Sequence, residues 1–337
     1  MTGPTRPGPE ARHWGQVPLF DPERGETVRE PQGQGPGWWV GAPSAIFDVA
    51  SAKYYLYYRY RKPGELGRGV ECRIAESQDG TDFSDIWSAT KADLGTQSME
   101  KAGLFQGGGS WHLYLSFVGD DGRWRIEGLT AARPEDFDVR RRTPVLDADD
   151  CVASRCGAEG CGAEGVKDPA VYSVGGLQYM IVSYAPRPRA AAAPEALHGA
   201  GDVYNTGLVK SHTGLALSTD GAAWRWAGDI LTPPVSGWDC QCTRIGAMVW
   251  EAPVWVGFYD GSASVAENYE EKPGLCVSTD LRHWERVTTA GPYAVSPHAS
   301  GAIRYVEVVP LPTGWRYYYE YTRADGSHEL RTSFVPR

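Results

Sequence analysis

The chain repeats itself. Five times a short apolar strand is followed by an aromatic-rich strand ending in polar residues, then by a third strand leading toward a turn. The first copy reads APSAIF (42–47), KYYLYYRYR (53–61) and CRIAESQDGTDF (72–83). The second reads KAGLF (101–105), WHLYLSF (111–117) and IEGLTAARPEDF (126–137). The third reads DPAVYSV (168–174), LQYMIVSYA (177–185) and TGLALSTDGAAW (213–224). The fourth reads RIGAMVW (244–250), APVWVGFYDG (252–261) and PGLCVSTDLRHW (273–284). The fifth reads GAIRYVEVV (301–309), GWRYYYEYT (314–322) and HELRTSFV (328–335). A unit of this size cannot bury both its faces alone, so repetition at a near-constant period predicts neighbours that stack.

The turns carry the same chemistry. Ser77-Gln78-Asp79-Gly80 and Ser218-Thr219-Asp220-Gly221 each place Asp before Gly at a tight reversal. Asp bonds its own backbone and Gly accepts positive φ. Phe83, Trp224 and Trp284 then anchor the outgoing strand. Five antiparallel units of three or four strands predict an all-β fold, a five-bladed β-propeller with blades starting near residues 42, 101, 168, 244 and 301. Residues 36–337 form that single domain, and residues 1–35 an N-terminal arm. The fifth copy runs out of chain after its third strand, so a segment near Gln16–Phe20 is expected to complete the blade and cover its edge. Two separate β domains are the alternative.

Three segments interrupt the pattern: 147–166, rich in Gly and Cys; 186–212, the longest; and 260–272. Long excursions in a compact domain serve as lids and binding loops, or as tolerated surface decoration. The seven cysteines are odd in number, which argues against a pure disulfide framework. Cys151, Cys156 and Cys161 recur in one loop and Cys240 and Cys242 in another, without the CxxC pairs or nearby His of a zinc site. They are read as unpaired thiols, and no metal or cofactor is expected. The net charge of −9 disfavours a nucleic-acid partner. No stretch of 18 apolar residues is present, so no membrane span is expected. The N-terminal MTGPTRPGPEARHWG lacks the apolar segment of a secretory signal, which gives a cytoplasmic expectation.

In a propeller the first strand of each blade lines the axis, so the strand heads converge. Lys167 and Asp168 open the third copy directly before Pro169, where an apolar core strand has no use for two charges. The matching positions are Ala42 and Ser44, Glu100 and Lys101, Thr243 and Arg244, and His298 and Ser300. Second strands add Tyr58, Arg59, Arg61, Tyr184, Tyr259, Asp260, Glu320 and Tyr321 near the same end. Carboxylates, arginines and aromatic faces around one funnel suit a polyhydroxylated ligand. Each residue also has a plain structural reading. Asp168 could pair with Lys167, Glu100 could be a solvated loop acid, His298 an exposed loop residue, and Glu320 a partner of Arg323. Arg59 and Arg61 alternate with Tyr58 and Tyr60; one arginine is expected to reach the pocket and the other to brace a neighbouring blade.

The order and spacing of APSAIF with YYLYYRYR, of VKDPAVY, of the S-x-D-G-x-x-aromatic turns and of PHASGAI resemble glycoside-active five-bladed propellers. These are glycoside hydrolase families 43 and 32 and the family 130 mannoside phosphorylases. The resemblance runs from about residue 36 to the end. It implies acid–base chemistry by inner-strand carboxylates. Asp168 matches the Asp-Pro position of blade three, a supporting carboxylate in family 43, and His298 resembles the last-blade histidine of that family. Arg59 resembles the arginine after the second-strand tyrosine in family 130. Glu100 falls near the acidic motif of family 130, with Lys101 where an Asp of that motif would stand. The chain departs from the pattern at Gly41-Ala42-Pro43, where the families place an Asp, and at Thr243-Arg244-Ile245-Gly246, where family 43 places its general-acid Glu.

The expectation is a carbohydrate-active enzyme of the hydrolase or phosphorylase type. Asp168 and Glu100 would be catalytic, and Arg59, Tyr58, Lys101, Lys167, Arg244, Tyr184, Asp260, His298 and Glu320 would hold a small carbohydrate or glycosylated metabolite. The competing readings are a binding propeller repurposed for specialised metabolism, and a protein-interaction propeller, which would show an apolar top rather than a charged funnel.

Overall fold

The structure is a computed structural model that describes residues 13–14, 17–151, 162–188, 190, 192–199 and 201–337. A short pair, β1 (His13–Trp14) and β2 (Val17–Pro18), precedes β3 (Glu26–Arg29). The first antiparallel meander is β4 (Trp39–Asp48), β5 (Lys53–Arg61), β6 (Gly69–Ser77) and β7 (Ser84–Thr90). The second is β8 (Gly103–Gly107), β9 (Ser110–Val118), β10 (Trp124–Ala131) and β11 (Thr143–Leu146). The third is β12 (Ala163–Val174), β13 (Leu177–Pro186), β14 (His212–Ser218) and β15 (Arg225–Leu231). The fourth is β16 (Cys242–Glu251), β17 (Val254–Ser262), β18 (Lys272–Ser278) and β19 (Glu285–Arg286). Last come β20 (Ile303–Leu311), β21 (Gly314–Thr322) and β22 (His328–Pro336).

The missing fourth strand of the last unit does come from the N-terminal arm, but from a different segment than expected. β3 pairs antiparallel with β22, through Thr27 opposite Arg331 and Glu26 opposite Thr332. Val17–Pro18 instead pairs with β1. Phe20 is a core residue rather than a ladder residue, stacking on Tyr319 at 4.4 Å and lying 4.8 Å from Tyr317. A single parallel bridge, His328 to Trp39, joins the last unit to the first in one sheet. The first strands touch in cyclic order: β4 meets β8, β8 meets β12, β12 meets β16, β16 meets β20, and β20 meets β4.

Strand alternation sets which neighbour each side chain packs on. On β5, Leu56, Tyr58 and Tyr60 join Tyr318 and Val309 of the last unit, while Tyr55 and Tyr57 join Leu104, Leu113 and Leu115 of the second. Each such side chain, buried fully, contributes on the order of 1.5–3 kcal/mol. The turns clasp the neighbours further. Ser77 Oγ accepts from the Gly80 amide at 2.9 Å, and Asp79 Oδ1 accepts from the Thr81 and Asp82 amides at 2.8 and 2.9 Å. Ser218/Asp220 and Ser278/Asp280 repeat the pattern. Gly80 and Gly221 take φ of 79° and 77°; in the fourth unit Leu281 occupies the same left-handed position at 63°. A tyrosine from an adjacent unit then donates to the turn carbonyl, Tyr318 to Gly80 at 2.9 Å and Tyr114 to Gly221 at 2.8 Å.

The described cysteines, Cys72, Cys151, Cys240, Cys242 and Cys276, are free thiols, with Cys72, Cys242 and Cys276 buried in strands rather than in loops. Cys156 and Cys161 lie outside the described residues. No helix among the described residues is long and apolar enough to cross a membrane.

Candidate functional site

The first strands are kinked near their heads. Register slips between Gly41 and Ser44 on β4, Lys167 and Ala170 on β12, Ile245 and Ala247 on β16, and Arg304 and Glu307 on β20. A bulge re-aims the side chains beside it. Ala42, Asp168 and Tyr305 sit at these slips with φ of 54°, 57° and 51°. Asp tolerates the left-handed region, but a bulky Tyr there costs on the order of 1–3 kcal/mol and needs its surroundings to hold it.

What holds Tyr305 is the centre of the site. Its ring lies 4.2 Å from the Arg244 guanidinium and 4.7 Å from that of Arg304. Its hydroxyl donates to Glu100 Oε2 at 3.3 Å, and its amide donates to Asp260 Oδ1 at 3.0 Å. Arg59 grips the same Glu100 oxygen through Nε at 2.9 Å and Nη2 at 2.6 Å. Arg244 donates to Asp168 Oδ2 at 3.1 Å and to Asp260 Oδ2 at 2.8 Å. Arg304 lies 2.9 Å from Glu271 and 3.5 Å from Glu320. Glu320 accepts from His328 Nδ1 at 2.7 Å, and His328 stacks on Trp39 at 4.5 Å.

Two buried cations stand apart. Arg61 lies between Trp39, at 4.3 Å, and Tyr269, at 3.9 Å. Lys167 lies between Trp124, at 4.8 Å, and Tyr204, at 4.5 Å. Neither has a carboxylate within 4.0 Å among the described residues. Around them are buried polar atoms with no hydrogen-bond partner among the described residues: Arg59 Nη1, Arg61 Nε and Nη1, Arg304 Nη2, Glu100 Oε1, Asp168 Oδ1 and Glu320 Oε2. Native interiors satisfy nearly all such atoms through the chain or ordered water, so these seven are the hydrogen-bonding capacity left over in the cluster.

The second and third excursions roof the cluster. Asp202 accepts from Arg68 Nη2 at 2.9 Å, from Trp124 Nε1 at 3.1 Å, and from the Tyr269 hydroxyl. Asn205 donates to the same hydroxyl at 2.6 Å. Tyr269 thereby bridges residues of both excursions and covers Arg61. Its carbonyl accepts from Arg304 Nη1 at 2.6 Å.

The charges divide the carboxyls into distinct states. Burial alone would raise Glu100, but Arg59, backed by Lys167, Arg61 and Arg304, holds it well below the usual carboxylate range. Burial likewise opposes ionisation of Glu320, yet Arg304 and His328 bring it to about 2. Burial pushes Asp260 up to about 6 against the pull of Arg244, with Glu271 adding like charge. Burial also lowers Arg61.

Of the eleven residues expected to be catalytic or to hold the ligand, Asp168, Glu100, Arg59, Lys167, Arg244, Asp260 and Glu320 meet in this cluster. Four do not. Tyr58 is on the opposite face of β5, donating to Asp85 at 2.6 Å, because strand parity turns it away from Arg59. Lys101 points to the other end of the first strands and pairs with Glu307 at 3.4 Å. Tyr184 packs edge-on against His212 and Trp226 inside the third unit. His298 is exposed in the loop before β20, edge-on to Tyr321 at 6.2 Å. Arg61 corrects a further expectation: Arg59 and Arg61 share parity, and both reach the cluster. Arg323, the alternative partner for Glu320, instead pairs with Glu30 and Glu329. Sequence reasoning missed Tyr305, Arg68, Asp202, Tyr269 and Glu271. Tyr305 had a usable signal, its place in the first strand of the fifth copy; the others sit on or against the excursions, where no repeat position marks them.

No protein-family model and no curated protein matches the chain in sequence. Solved structures do match it in fold. The β-1,2-mannobiose phosphorylase from Listeria innocua, in complex with β-1,2-mannobiose, superposes with a TM-score of 0.60 at 14% identity, over 92% of this chain and 94% of that one. The GH43_1 enzyme from Xanthomonas citri complexed with xylotriose gives 0.58 at 12% identity, over 92% and 90%. A glycosyl hydrolase from Bacteroides ovatus gives 0.57 at 13% identity, over 91% and 88%. The fold is therefore that of a glycoside hydrolase-like propeller. At the two strand heads where the resemblance leads to a carboxylate being expected, the chain has Ala42 on β4 and Arg244 on β16.

Proposed function

We propose that the five four-stranded units are the blades of a five-bladed propeller, and that the charged centre binds and transforms a glycoside or sugar-like small molecule bearing an anionic group. The observation that carries this reading is the set of buried, unpartnered donors and acceptors around Arg61 and Lys167. Hydroxyls of a sugar satisfy the free carboxylate oxygens, and an anionic group accepts from the unpartnered guanidinium N–H groups of Arg61. That anion is a substituent of the substrate or a phosphate co-substrate.

Glu100, held ionised by Arg59, serves as base or nucleophile, since a carboxyl kept this acidic cannot donate a proton at neutral pH. Asp168, paired with Arg244 through Oδ2 and with Oδ1 free, orients the sugar beside Glu100 by accepting from one of its hydroxyls. Arg244 and Tyr305 connect the two carboxylates, one contacting Asp168 and the other Glu100. A cytoplasmic site of action belongs to this reading and is supported by the free thiols.

The missing carboxylates at Ala42 and Arg244 favour a second reading, a propeller that binds such a molecule without cleaving it. A panel of aryl glycosides and sugar phosphates, with wild type, Glu100→Gln and Asp168→Asn, separates the two. Turnover abolished in both folded variants supports catalysis. Turnover unchanged in both rejects these roles. Saturable binding with no wild-type turnover across the panel selects the second reading.

A further inference from the structure

The first strands have two ends, and the second end is also hollow. Where β4, β8, β12, β16 and β20 run out, they enclose a cavity of about 480 Å³. Its wall is Leu104, Phe105, Val171, Tyr172, Met248 and Val308. Trp250 and Trp255 stand at the mouth, 5.3 Å apart, and Trp250 is 48% exposed. Glu307, paired with Lys101 at 3.4 Å, also lines it.

We propose that this cavity is a second small-molecule site, separate from the charged cluster, and that it takes a neutral aromatic compound. The volume falls within the range of small-molecule pockets, and the lining follows their usual composition, mostly apolar with a few convergent polar groups. Neutrality follows from the charges in view. The one buried carboxylate lining the cavity is already compensated by Lys101. At the rim, Arg337 lies over Trp315 at 4.2 Å while Glu251 accepts from Trp315 Nε1 at 3.2 Å, so opposite charges flank one ring. The rim therefore carries one charge of each sign and selects for neither an anion nor a cation. Aromatic character follows from the mouth, where an exposed Trp250 gains a stacking partner. The Glu307 carboxyl supplies one hydrogen bond; burial pushes it up to about 7, so it offers a proton below neutrality and a lone pair above.

The test uses the full chain and prodan, a neutral aromatic dye whose fluorescence reports local polarity. Wild type is expected to bind it saturably at one site with a blue-shifted emission. Trp250→Ala should weaken binding by about tenfold, the loss of one aromatic contact. Gln106→Trp, at an exposed lining position, should block entry, with circular dichroism confirming the fold. Glu100→Gln should bind as wild type does, whatever its effect on sugar chemistry. Three results would overturn the proposal: no saturable binding by wild type, equal binding by Trp250→Ala and Gln106→Trp, or loss of binding in Glu100→Gln, which would put the dye in the charged cluster.

Discussion

Arg59→Met tests how the charged centre is held. In the native protein Glu100 is 1% exposed and takes two hydrogen bonds from Arg59, at 2.6 and 2.9 Å, and one from Tyr305 at 3.3 Å. Removing the guanidinium leaves a buried carboxylate with one long bond. Breaking a buried pair from one side costs about 3–5 kcal/mol. The expected loss sits toward the lower part of that range, because Lys167, Arg61 and Arg304 still act on Glu100. The pH dependence has a definite sign. Arg59 keeps the folded pKa of Glu100 below its unfolded value of about 4.3, so in wild type this group stabilises above that pH, and the benefit is lost as pH falls through the depressed folded value. In the variant, burial dominates and the folded pKa rises above the unfolded one, so ionisation opposes folding. Arg59→Met is therefore more damaging at pH 8 than at pH 5. Urea unfolding at both pH values measures this, and Arg59→Met/Glu100→Gln closes a double-mutant cycle. The double variant should recover about half or more of the single loss, since a neutral pair-deleted site no longer buries a bare charge. Equal losses at pH 5 and pH 8, with additive single effects, would refute the reasoning.

The remaining predictions are narrower. Tyr114→Phe removes the buried bond to the Gly221 carbonyl, so it should lower unfolding free energy by about 1 kcal/mol in urea titrations. Tyr269→Phe cuts the hydroxyl that Asp202 and Asn205 share, so hydrogen–deuterium exchange over 263–271 should quicken while that of β5 does not change. Burial lowers His328, but Glu270 and Glu320 raise it further; its contribution is full below about pH 6.5 and is lost as pH rises through the higher folded value. The stability gap between wild type and His328→Gln should accordingly shrink from pH 6 to pH 9.

The repeat made most of this architecture legible. Alternation in KYYLYYRYR separates Tyr55 and Tyr57 from Tyr58 and Tyr60, and the same parity carries Arg59 and Arg61 together to the centre. The S-x-D-G turns announced their own hydrogen bonds. Glu100, Lys167, Asp168 and Arg244, read off the strand heads, lie in the central cluster. Lys101 failed because it turns to the other end of the first strands, onto Glu307, whereas at the third head the register slip at Asp168 lets two adjacent residues face the cluster. His298 failed because a loop precedes β20, so distance along the chain did not equal position on the strand. The roof was the least legible part. Asp202 and Tyr269 meet through tertiary contact between two excursions, and no local periodicity encodes such a contact. The closing strand was mislocated because QVPLF has the apolar content of a strand, yet its Phe20 goes to packing while the polar segment Glu26–Arg29 takes the edge.

The most direct measurement is a crystal structure of the full chain grown with an anionic aryl glycoside. Ligand density is expected among Arg61, Lys167, Glu100 and Asp168, with the anionic group on Arg61 or Lys167 and a hydroxyl on Glu100 Oε1 or Asp168 Oδ1. A centre closed by apolar side chains, or Asp168 and Lys167 turned to bulk solvent, would contradict that expectation.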